Sequence, residues 1–385
     1  MGGGLLQLVA YGAQDVYLTG NPQITFFKVV YRRHTNFAVE AIQQTFNGNV
    51  AFGNTVYVTV SRNGDLVNRT YLQVELPALS GTTKYFDYLG QRLISQVSVE
   101  IGGQQIDKHY SDWLHIWNEL SLPSGKMEGY KKMVGADGNS LSGTSSILYI
   151  PLEFWFCRNV GLALPLIALQ YHEVKLKIQF EELSKCVDGP TTTEFPGGNI
   201  TASLWCDYIF LDTDERRRFA QLSHEYLIEQ LQFTGSEALS AGSGNRYRLN
   251  FNHPCKELIW VAKASGNTAK DNWYKYDSSG KSPFGKCLLQ LNGNDRFAER
   301  DGSYFNYVQP YQHHTNIPSD RGLSVYSFAL KPEEHQPSGT LNMSRIDTAV
   351  LSLESKNVNG TVNIYAVNYN VLRIMSGMGG MAYSN

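Results

Sequence analysis

The chain has 385 residues, of which 42% are hydrophobic, 12% aromatic and 18% charged, and its formal net charge is −2. This length exceeds the size at which a single hydrophobic core stops growing, so we expect two or three domains. The balanced charge argues against a direct nucleic-acid surface, which would show clustered Lys and Arg. Abundant Tyr, Phe and Gly favour strands joined by turns over helices.

The first segment of the chain is apolar and interrupted by glycines. Residues 5–37 read LLQLVAYGAQDVYLTGNPQITFFKVVYRRHTNF, and no basic region of the kind that opens a signal peptide precedes them. The longest apolar run elsewhere, 160–171, is far shorter than the ~20 residues of a membrane helix. We therefore expect neither a signal peptide nor a transmembrane segment. The arm at 1–26 either packs on its own domain or, as suits an assembling protein, is buried against a neighbouring molecule.

Two short runs suggest that one unit is written twice. Residues 43–48 read QQTFNG and residues 229–235 read EQLQFTG, so a Phe-x-Gly motif recurs after 187 residues. Self-similarity at a fixed spacing is the sequence signature of a repeated structural unit. A true duplication requires further landmarks in the same order, with shifts that change only where one copy has a longer loop.

Further landmarks do recur in one order. The strand-like runs 70–77 and 257–264 keep the shift of 187 when Val74 is aligned with Val261. The remaining pairs are the strands with a glycine turn at 96–103 and 286–293 (shift 190), the helical runs 107–117 and 298–308 (191), the strands 173–180 and 348–355 (175), and the strands 206–211 and 367–372 (161). The shift falls where the first half has Gly-rich loops, at 121–146 and 186–199. The sequence therefore predicts a duplicated unit.

Each half carries six or more short strands and one short helix, a pattern typical of a β-sandwich of the jelly-roll kind. The charged run DTDERRRFAQLSHE at 212–225 joins the halves. We expect a short helix there, capped by Thr213 or Asp214. The basic run 216–218 is interpreted as a solvated face that the preceding acidic residues compensate.

Motifs for catalysis or metal binding are incomplete. HEYLI at 224–228 ends on Ile228 where a zinc site needs His, and HPCKEL at 253–258 ends on Leu258 where a second thiolate is needed. His313–His314 is interpreted as loop polarity rather than as part of a ligand set. Four titratable residues in strand-like runs single out no acid–base pair: Glu153, His172, Glu173 and Asp207. We predict no catalytic, cofactor-binding or metal-binding residue, and therefore not an enzyme.

The cysteines are odd in number and scattered, with no C-x-x-C pair. They are Cys157, Cys186, Cys206, Cys255 and Cys287. This pattern favours reduced thiols in a cytoplasmic product over the disulfide framework of a secreted protein.

Five long blocks carry a resemblance to a known family. They read GGLLQLVAYGAQDVYLTGNPQITFFKVVYRRHTNF from residue 3, GLALPLIALQYHEVKL from 161, DYIFLDTDERRRFAQLSHEYLIEQLQFTG from 207, QPSGTLNMSRID from 336 and NYNVLRIMSGMGGMAYSN from 368. Together they resemble the major capsid proteins of nucleocytoplasmic large DNA viruses, and most closely the algal-virus (chlorovirus-like, phycodnavirus) branch.

The resemblance implies an all-β chain of two consecutive eight-stranded jelly rolls with short helices in the loops. The expected bounds are an N-terminal arm at 1–26, a first jelly roll at 27–212, a linker at 213–224 and a second jelly roll at 225–385. It also implies a homotrimer whose six jelly rolls form a pseudo-hexagonal capsomer of an icosahedral shell. Neighbouring capsomers and minor capsid proteins under the shell are the expected partners, with assembly in the host cytoplasm.

One alternative function and one modification stay open at this stage. The alternative is a carbohydrate-binding, lectin-like protein, because jelly rolls host lectins too. N-x-S/T triplets begin at Asn68, Asn199, Asn342 and Asn359, about as many as chance predicts. Chlorovirus-like relatives carry glycans at sites that do not follow this rule, so we expect these four positions to predict occupancy poorly.

Overall fold

The computed structural model describes residues 3–79, 82–143, 145–189, 200–265 and 273–383. The chain divides into two compact units, one ending at Asn36 and one beginning at Phe37. The first unit contains two short helices, α1 (Gly3–Val9) and α2 (Ala13–Thr19), and neither buries a side chain. At the start of α2, the Gly12 N–H donates a hydrogen bond of 2.8 Å to the Asp15 carboxylate.

A first β-sandwich is built from the strands between residues 37 and 211. The strands are β1 Phe37–Gln44, β2 Thr55–Thr59, β3 Leu66–Leu76, β4 Lys84–Tyr85, β5 Ile94–Ile101, β6 Gln104–Tyr110, β7 Ser146–Pro151, β8 Leu164–Pro165, β9 Val174–Phe180, β10 Val187–Asp188 and β11 Thr201–Leu211. One sheet has the order β1-β11-β3-β7, with β8 on β3, and the other has the order β2-β9-β5-β6. Their inner faces share one core, to which alternate residues of β3 and β9 contribute.

Helices fill the connections of this first sandwich. They are α3 Leu89–Leu93, α4 Ser111–Ser121, α5 Ser124–Val134, α6 Gly138–Ser142 and α7 Trp155–Arg158, with short 3₁₀ segments at Val160–Leu162 and Leu183–Lys185. The helix predicted at 107–117 is present but begins four residues later. Residues 107–110 instead complete β6, which forms a hairpin with β5.

Helix α8 (Thr213–Gln221) follows the first sandwich. Its cap is Asp212, whose carboxylate accepts a hydrogen bond of 2.7 Å from the Thr213 N–H. The predicted cap at Thr213 or Asp214 is therefore wrong by one or two residues. In the basic run, the Arg216 guanidinium lies 2.9 Å from the carboxylate of Asp65, which is not one of the acidic residues that precede the run in the sequence.

A second β-sandwich follows α8. Its strands are β12 His224–Phe233, β13 Glu237–Leu239, β14 Gly242–Arg248, β15 Pro254–Ala264, β16 Phe284–Leu291, β17 Asn294–Asp295, β18 Arg300–Asp301, β19 Leu323–Ser327, β20 Leu341–Asn342, β21 Ala349–Ser355, β22 Gly360–Met375 and β23 Met378–Met381. The sheets have the orders β12-β22-β15-β19 and β14-β21-β16-β17. A π-helical turn (Tyr304–Val308) runs directly into α9 (Gln309–His313), and Met343–Arg345 is a 3₁₀ segment.

The strand orders of the two sandwiches are the same, so the duplication is visible in the fold. Where β5 pairs with β9, Ile101 lies opposite Val174; where β16 pairs with β21, Leu291 lies opposite Ala349. These pairs reproduce the shifts of 190 and 175 residues predicted from the sequence. The same hairpin turn follows each strand, with positive φ at both central residues: Gly102 and Gly103, and Asn292 and Gly293.

In the other pair of sheets each of the two predicted shifts is wrong by one residue. Between the pairs Thr70–Cys206 and Val67–Tyr208, a β-bulge leaves two residues on β3 against one on β11. The same bulge recurs between the pairs Leu258–Ala366 and Cys255–Asn368, with two residues on β15 against one on β22. The shifts are therefore 188 and 160, not 187 and 161. Val74 lies in the first core, and its counterpart is Ala262 in the second core, whereas Val261 faces the other way. A slip of one residue exchanges the two faces of a strand.

Candidate functional site: the interface between the two sandwiches

The two sandwiches are joined by a buried apolar contact. Helix α4 places Leu114 in the first core and turns its opposite face to the outer face of the sheet β12-β22-β15-β19. The residues that meet in this contact are Trp113, Ile116, Trp117 and Leu120 from α4 and Ile259, Val261, Leu323, Val325, Tyr365 and Val367 from the sheet. The ring centres of Trp113 and Tyr365 are 5.8 Å apart. Apolar burial of this extent joins the sandwiches into one body.

Asp112 adds a polar anchor to the same contact. It lies at the start of α4, and its Oδ2 is 2.7 Å from the Lys263 ammonium at the end of β15. The Tyr276 hydroxyl donates a hydrogen bond of 3.0 Å to its Oδ1, and the Asn363 amide donates one of 3.2 Å to its Oδ2. A buried carboxylate needs such partners to offset its lost hydration.

A second charged cluster centres on Glu229 of β12. Its carboxylate lies 2.8 Å from the Lys256 ammonium and 3.1 Å from the guanidinium of Arg158, which belongs to α7 of the first sandwich. Burial raises the pKa of Glu229, but Arg158, His335 and Lys256 together outweigh it and lower the pKa to about 2. The carboxylate is therefore charged at neutral pH and bridges both sandwiches.

His314 is a buried ion-pair member rather than a polar loop residue. Its Nε2 lies 2.8 Å from Glu257 and its Nδ1 lies 2.9 Å from Glu333, with the imidazole fully buried. Burial lowers the pKa of His314, but the two carboxylates reverse this and raise the pKa to about 9. The prediction of loop polarity is wrong for His314. The Nδ1 of His313 lies 3.0 Å from the Leu330 carbonyl oxygen.

The N-x-S/T positions differ in exposure. The side-chain oxygen of Asn68, on β3, is buried. Asn342 and Asn359 are exposed, and their side-chain oxygens accept hydrogen bonds from the backbone of Ser344 and Ala241. Asn199 lies outside the described residues. That these four positions predict glycan occupancy poorly stays a prediction.

Two of the carboxyl groups flagged in the sequence line one cavity of about 790 Å³, beside α5 and the outer face of the first sandwich. Burial raises the pKa of Glu153, and Arg158 and His109 lower it less. Burial also raises the pKa of Asp207, which Arg69 partly offsets. The other two of these residues, His172 and Glu173, lie elsewhere, directly before β9.

Within the described residues, no group of three or more His, Cys, Asp or Glu side chains is arranged to hold a metal ion. In the same part of the chain, no helix is long and apolar enough to cross a membrane. The five cysteines, all described, are unpaired thiols. Burial raises the pKa of each of them, which keeps the thiols protonated.

The sequence pattern does not identify the interface residues. One signal was available in HPCKELIWVAKA, where Lys256 and Glu257 stand side by side at the start of an apolar strand. Charged residues in a strand with both faces covered need buried partners. Their partners, Glu229 and His314, are distant in the sequence, so only the fold brings them together.

The sequence matches two family descriptions over almost its whole length. Residues 25–212 match "Major capsid protein N-terminus", and residues 215–380 match "Large eukaryotic DNA virus major capsid protein". The chain is 56% identical to the major capsid protein of Pyramimonas orientalis virus and 48% identical to that of Paramecium bursaria Chlorella virus 1. In both comparisons all of each chain is covered.

Solved structures agree with these relatives. The chain resembles the VP54 capsid protein of PBCV-1, fitted into a reconstruction of the virophage Sputnik, with a TM-score of 0.84 and 42% identity over 94% of this chain and all of that one. The Faustovirus major capsid protein shares the fold, with a TM-score of 0.78 at 14% identity over 95% of this chain and 94% of that one. The two sandwiches are consecutive jelly rolls, as predicted. The chain belongs to the major capsid proteins of large eukaryotic DNA viruses, which are structural subunits of the virus shell and not enzymes.

Proposed function

We propose that three copies of this chain form a capsomer of six jelly rolls, which tiles an icosahedral shell. The observation that carries the proposal is the repeated strand order of two jelly rolls that a buried interface holds together. Three copies of a doubled unit give a block of near-sixfold outline, and such blocks pack hexagonally. The related PBCV-1 protein, with a TM-score of 0.82 to this chain, comes from a structure described as a virus capsid.

A capsomer has to survive as a unit before it enters a shell. Its subunit contacts are therefore expected to be of obligate size, above roughly 2,000 Å² in total. Light scattering of the purified chain tests this: a mass three times that of one chain supports the proposal, and a monomer at micromolar concentration contradicts it. A glycan array on the same sample tests the lectin alternative, which specific binding by a monomeric chain would support.

The N-terminal arm is proposed to contact other shell components. Its apolar side chains are exposed, with Tyr17 at 90% and Phe26 at 87%. Isolated helices as short as α1 and α2 are marginal in water, so their structure depends on contacts with another surface. Each apolar side chain that becomes fully covered contributes about 1.5–3 kcal/mol. We propose a minor capsid protein under the shell, or an adjacent subunit, as that surface.

Assembly is proposed to take place in the host cytoplasm, with the virion as the final location. Unpaired buried thiols at Cys186, Cys206, Cys255 and Cys287 support this proposal, because disulfides are rare in that reducing compartment. The domain bounds are likewise proposed as an arm at 1–26, jelly rolls at 27–212 and 225–385, and a linker at 213–224. Helix α8 occupies most of that linker.

A further inference from the structure

An exposed aromatic stripe lies on the second jelly roll where the π-helical turn runs into α9. Tyr307 is 44% exposed, Val308 38% and Tyr311 76%. One turn earlier, Phe305 is fully buried in the core of its own jelly roll. The segment is therefore anchored on one side and partly exposed on the other, where the Arg321 guanidinium lies 4.3 Å from the Tyr307 ring centre.

Helix α4 is the counterpart of this segment in the first jelly roll. At the shift of 191 residues found in the sequence, Phe305 corresponds to Leu114, and each lies in the core of its own jelly roll. The exposed stripe then corresponds to residues of α4 that are buried against the second jelly roll. The pairs are Tyr307 with Ile116, Val308 with Trp117 and Tyr311 with Leu120.

The surface that receives α4 also has a counterpart. In the second jelly roll it includes the cross-strand row Val325, Ile259 and Tyr365. The equivalent row on the outer face of the first jelly roll is Pro151, Tyr71 and Trp205, paired in the same way. This second row is aromatic as well: the rings of Tyr71 and Trp205 are stacked with centres 6.5 Å apart.

The counterpart face on the first jelly roll has room for an apolar helical stripe. The cavity of about 790 Å³ opens along it and is lined by Tyr71, Pro151 and Tyr149, together with Met133 of α5. Tyr149 and Met133 are each 39% exposed. Aromatic and methionine side chains that are partly exposed around a concavity are typical of the centre of a protein interface.

We propose that the stripe of Tyr307, Val308 and Tyr311 packs into this aromatic face on a second copy of the chain. The contact repeats between chains what α4 does within one chain, and it rests on the proposed trimer. In the ring, the helix of each jelly roll packs on the outer sheet of the next jelly roll. Such a head-to-tail contact is self-limiting when it closes into a ring, as three chains with six jelly rolls would allow.

Two variants test the contact in the full-length chain. Tyr311→Asp places a carboxylate in the proposed interface and is expected to raise the trimer dissociation constant by about tenfold or more. Leu222→Asp is the matched control, because Leu222 is an exposed apolar residue beside α8, 61% exposed, and has no counterpart in the contact. Dissociation is measured by analytical ultracentrifugation across a dilution series, with thermal unfolding as the check of folding.

A cysteine pair tests the same contact without depending on a destabilised variant. Tyr311→Cys combined with Tyr149→Cys is expected to give chains cross-linked by disulfides under mild oxidation, whereas either single variant is not. The inference is overturned if the wild-type chain is trimeric, the cysteine pair forms no cross-link, and Tyr311→Asp dissociates like the wild type. That result would leave the proposed capsomer standing. A monomeric wild type would overturn both.

Discussion

The Lys263 ammonium lies 2.7 Å from the Asp112 carboxylate, and this pair joins β15 of the second jelly roll to α4 of the first. Both side chains are largely buried in the contact. The same carboxylate accepts hydrogen bonds from Tyr276 and Asn363. The relative placement of the two jelly rolls therefore depends on a desolvated charge with defined partners as well as on apolar packing.

Removal of the Lys263 charge is expected to destabilise the whole chain. Lys263→Met leaves Asp112 buried without its cation, a change that costs about 3–5 kcal/mol when a buried pair loses one partner. The matched control is Lys356→Met, because Lys356 pairs with Asp301 at 3.5 Å on the surface. That exposed pair is worth at most about 1 kcal/mol. Urea unfolding at neutral pH measures both, and equal losses would contradict the anchoring role of Asp112.

His314 is expected to make stability fall at alkaline pH. Its pKa is raised from 6.5 to about 9, so the folded chain holds a proton that the unfolded chain loses. The stabilisation is complete below pH 6.5 and is lost as the pH rises through 9, with a slope of at most about 1.4 kcal/mol per pH unit. His314→Gln should flatten the stability profile in this window, while His313→Gln should leave it unchanged. An unaltered slope in His314→Gln would contradict the assignment.

Glu229 is expected to control stability at acid pH. Its pKa is lowered from 4.5 to about 2, so its contribution is present above pH 4.5 and is lost as the pH falls through 2. A shift of this size corresponds to about 3 kcal/mol. Glu229→Gln should be less stable at pH 7 and lose less stability on acidification. Glu225→Gln, on the same strand but paired at the surface with Arg373, is the control and should behave like the wild type.

Deletion of residues 2–20 is expected to spare the capsomer and impair the shell. The first jelly-roll strand, β1, begins at Phe37, and both cores consist of residues beyond it. The deletion therefore leaves both cores intact. Light scattering should still report a trimer, whereas assembled particles should be absent or fragile in electron micrographs. An unfolded shortened chain would show instead that the arm is part of the core.

The four N-x-S/T positions are expected to be incompletely occupied in virions. Asn68 is poorly placed, since its side-chain oxygen is buried, whereas Asn342 and Asn359 are exposed. Intact-mass and glycopeptide analysis of protein from particles measures occupancy directly. Full occupancy of all four positions would show that the motif predicts glycans well here.

The sequence was sufficient for the duplication but not for its full register. At Gly103 and Gly293 the turn requires positive φ, so glycine marked the strand end and the shift of 190 was correct. No such marker exists in β15, where Trp260 faces its own core and Val261 faces the first jelly roll. Because both faces are covered, the apolar residues do not alternate with polar ones. An alignment shifted by one residue therefore fits the apolar pattern of β15 equally well.

The charged part of the interface could not be predicted, for a different reason. Glu229, Lys256 and Arg158 belong to three separate elements in two jelly rolls. Each residue alone reads as an ordinary surface charge, and its burial follows only from how the jelly rolls pack. The prediction of loop polarity fails at His314 for the same reason, because Glu257 and Glu333 meet it only in the folded chain.

The proposed capsomer is tested by a cryo-electron microscopy reconstruction of the purified full-length chain. We expect a ring of six jelly rolls made by three chains, in which α9 of each chain lies on the outer sheet of its neighbour's first jelly roll. A particle of one or two chains, or a trimer without the near-sixfold ring, would show that the capsomer does not form in this way.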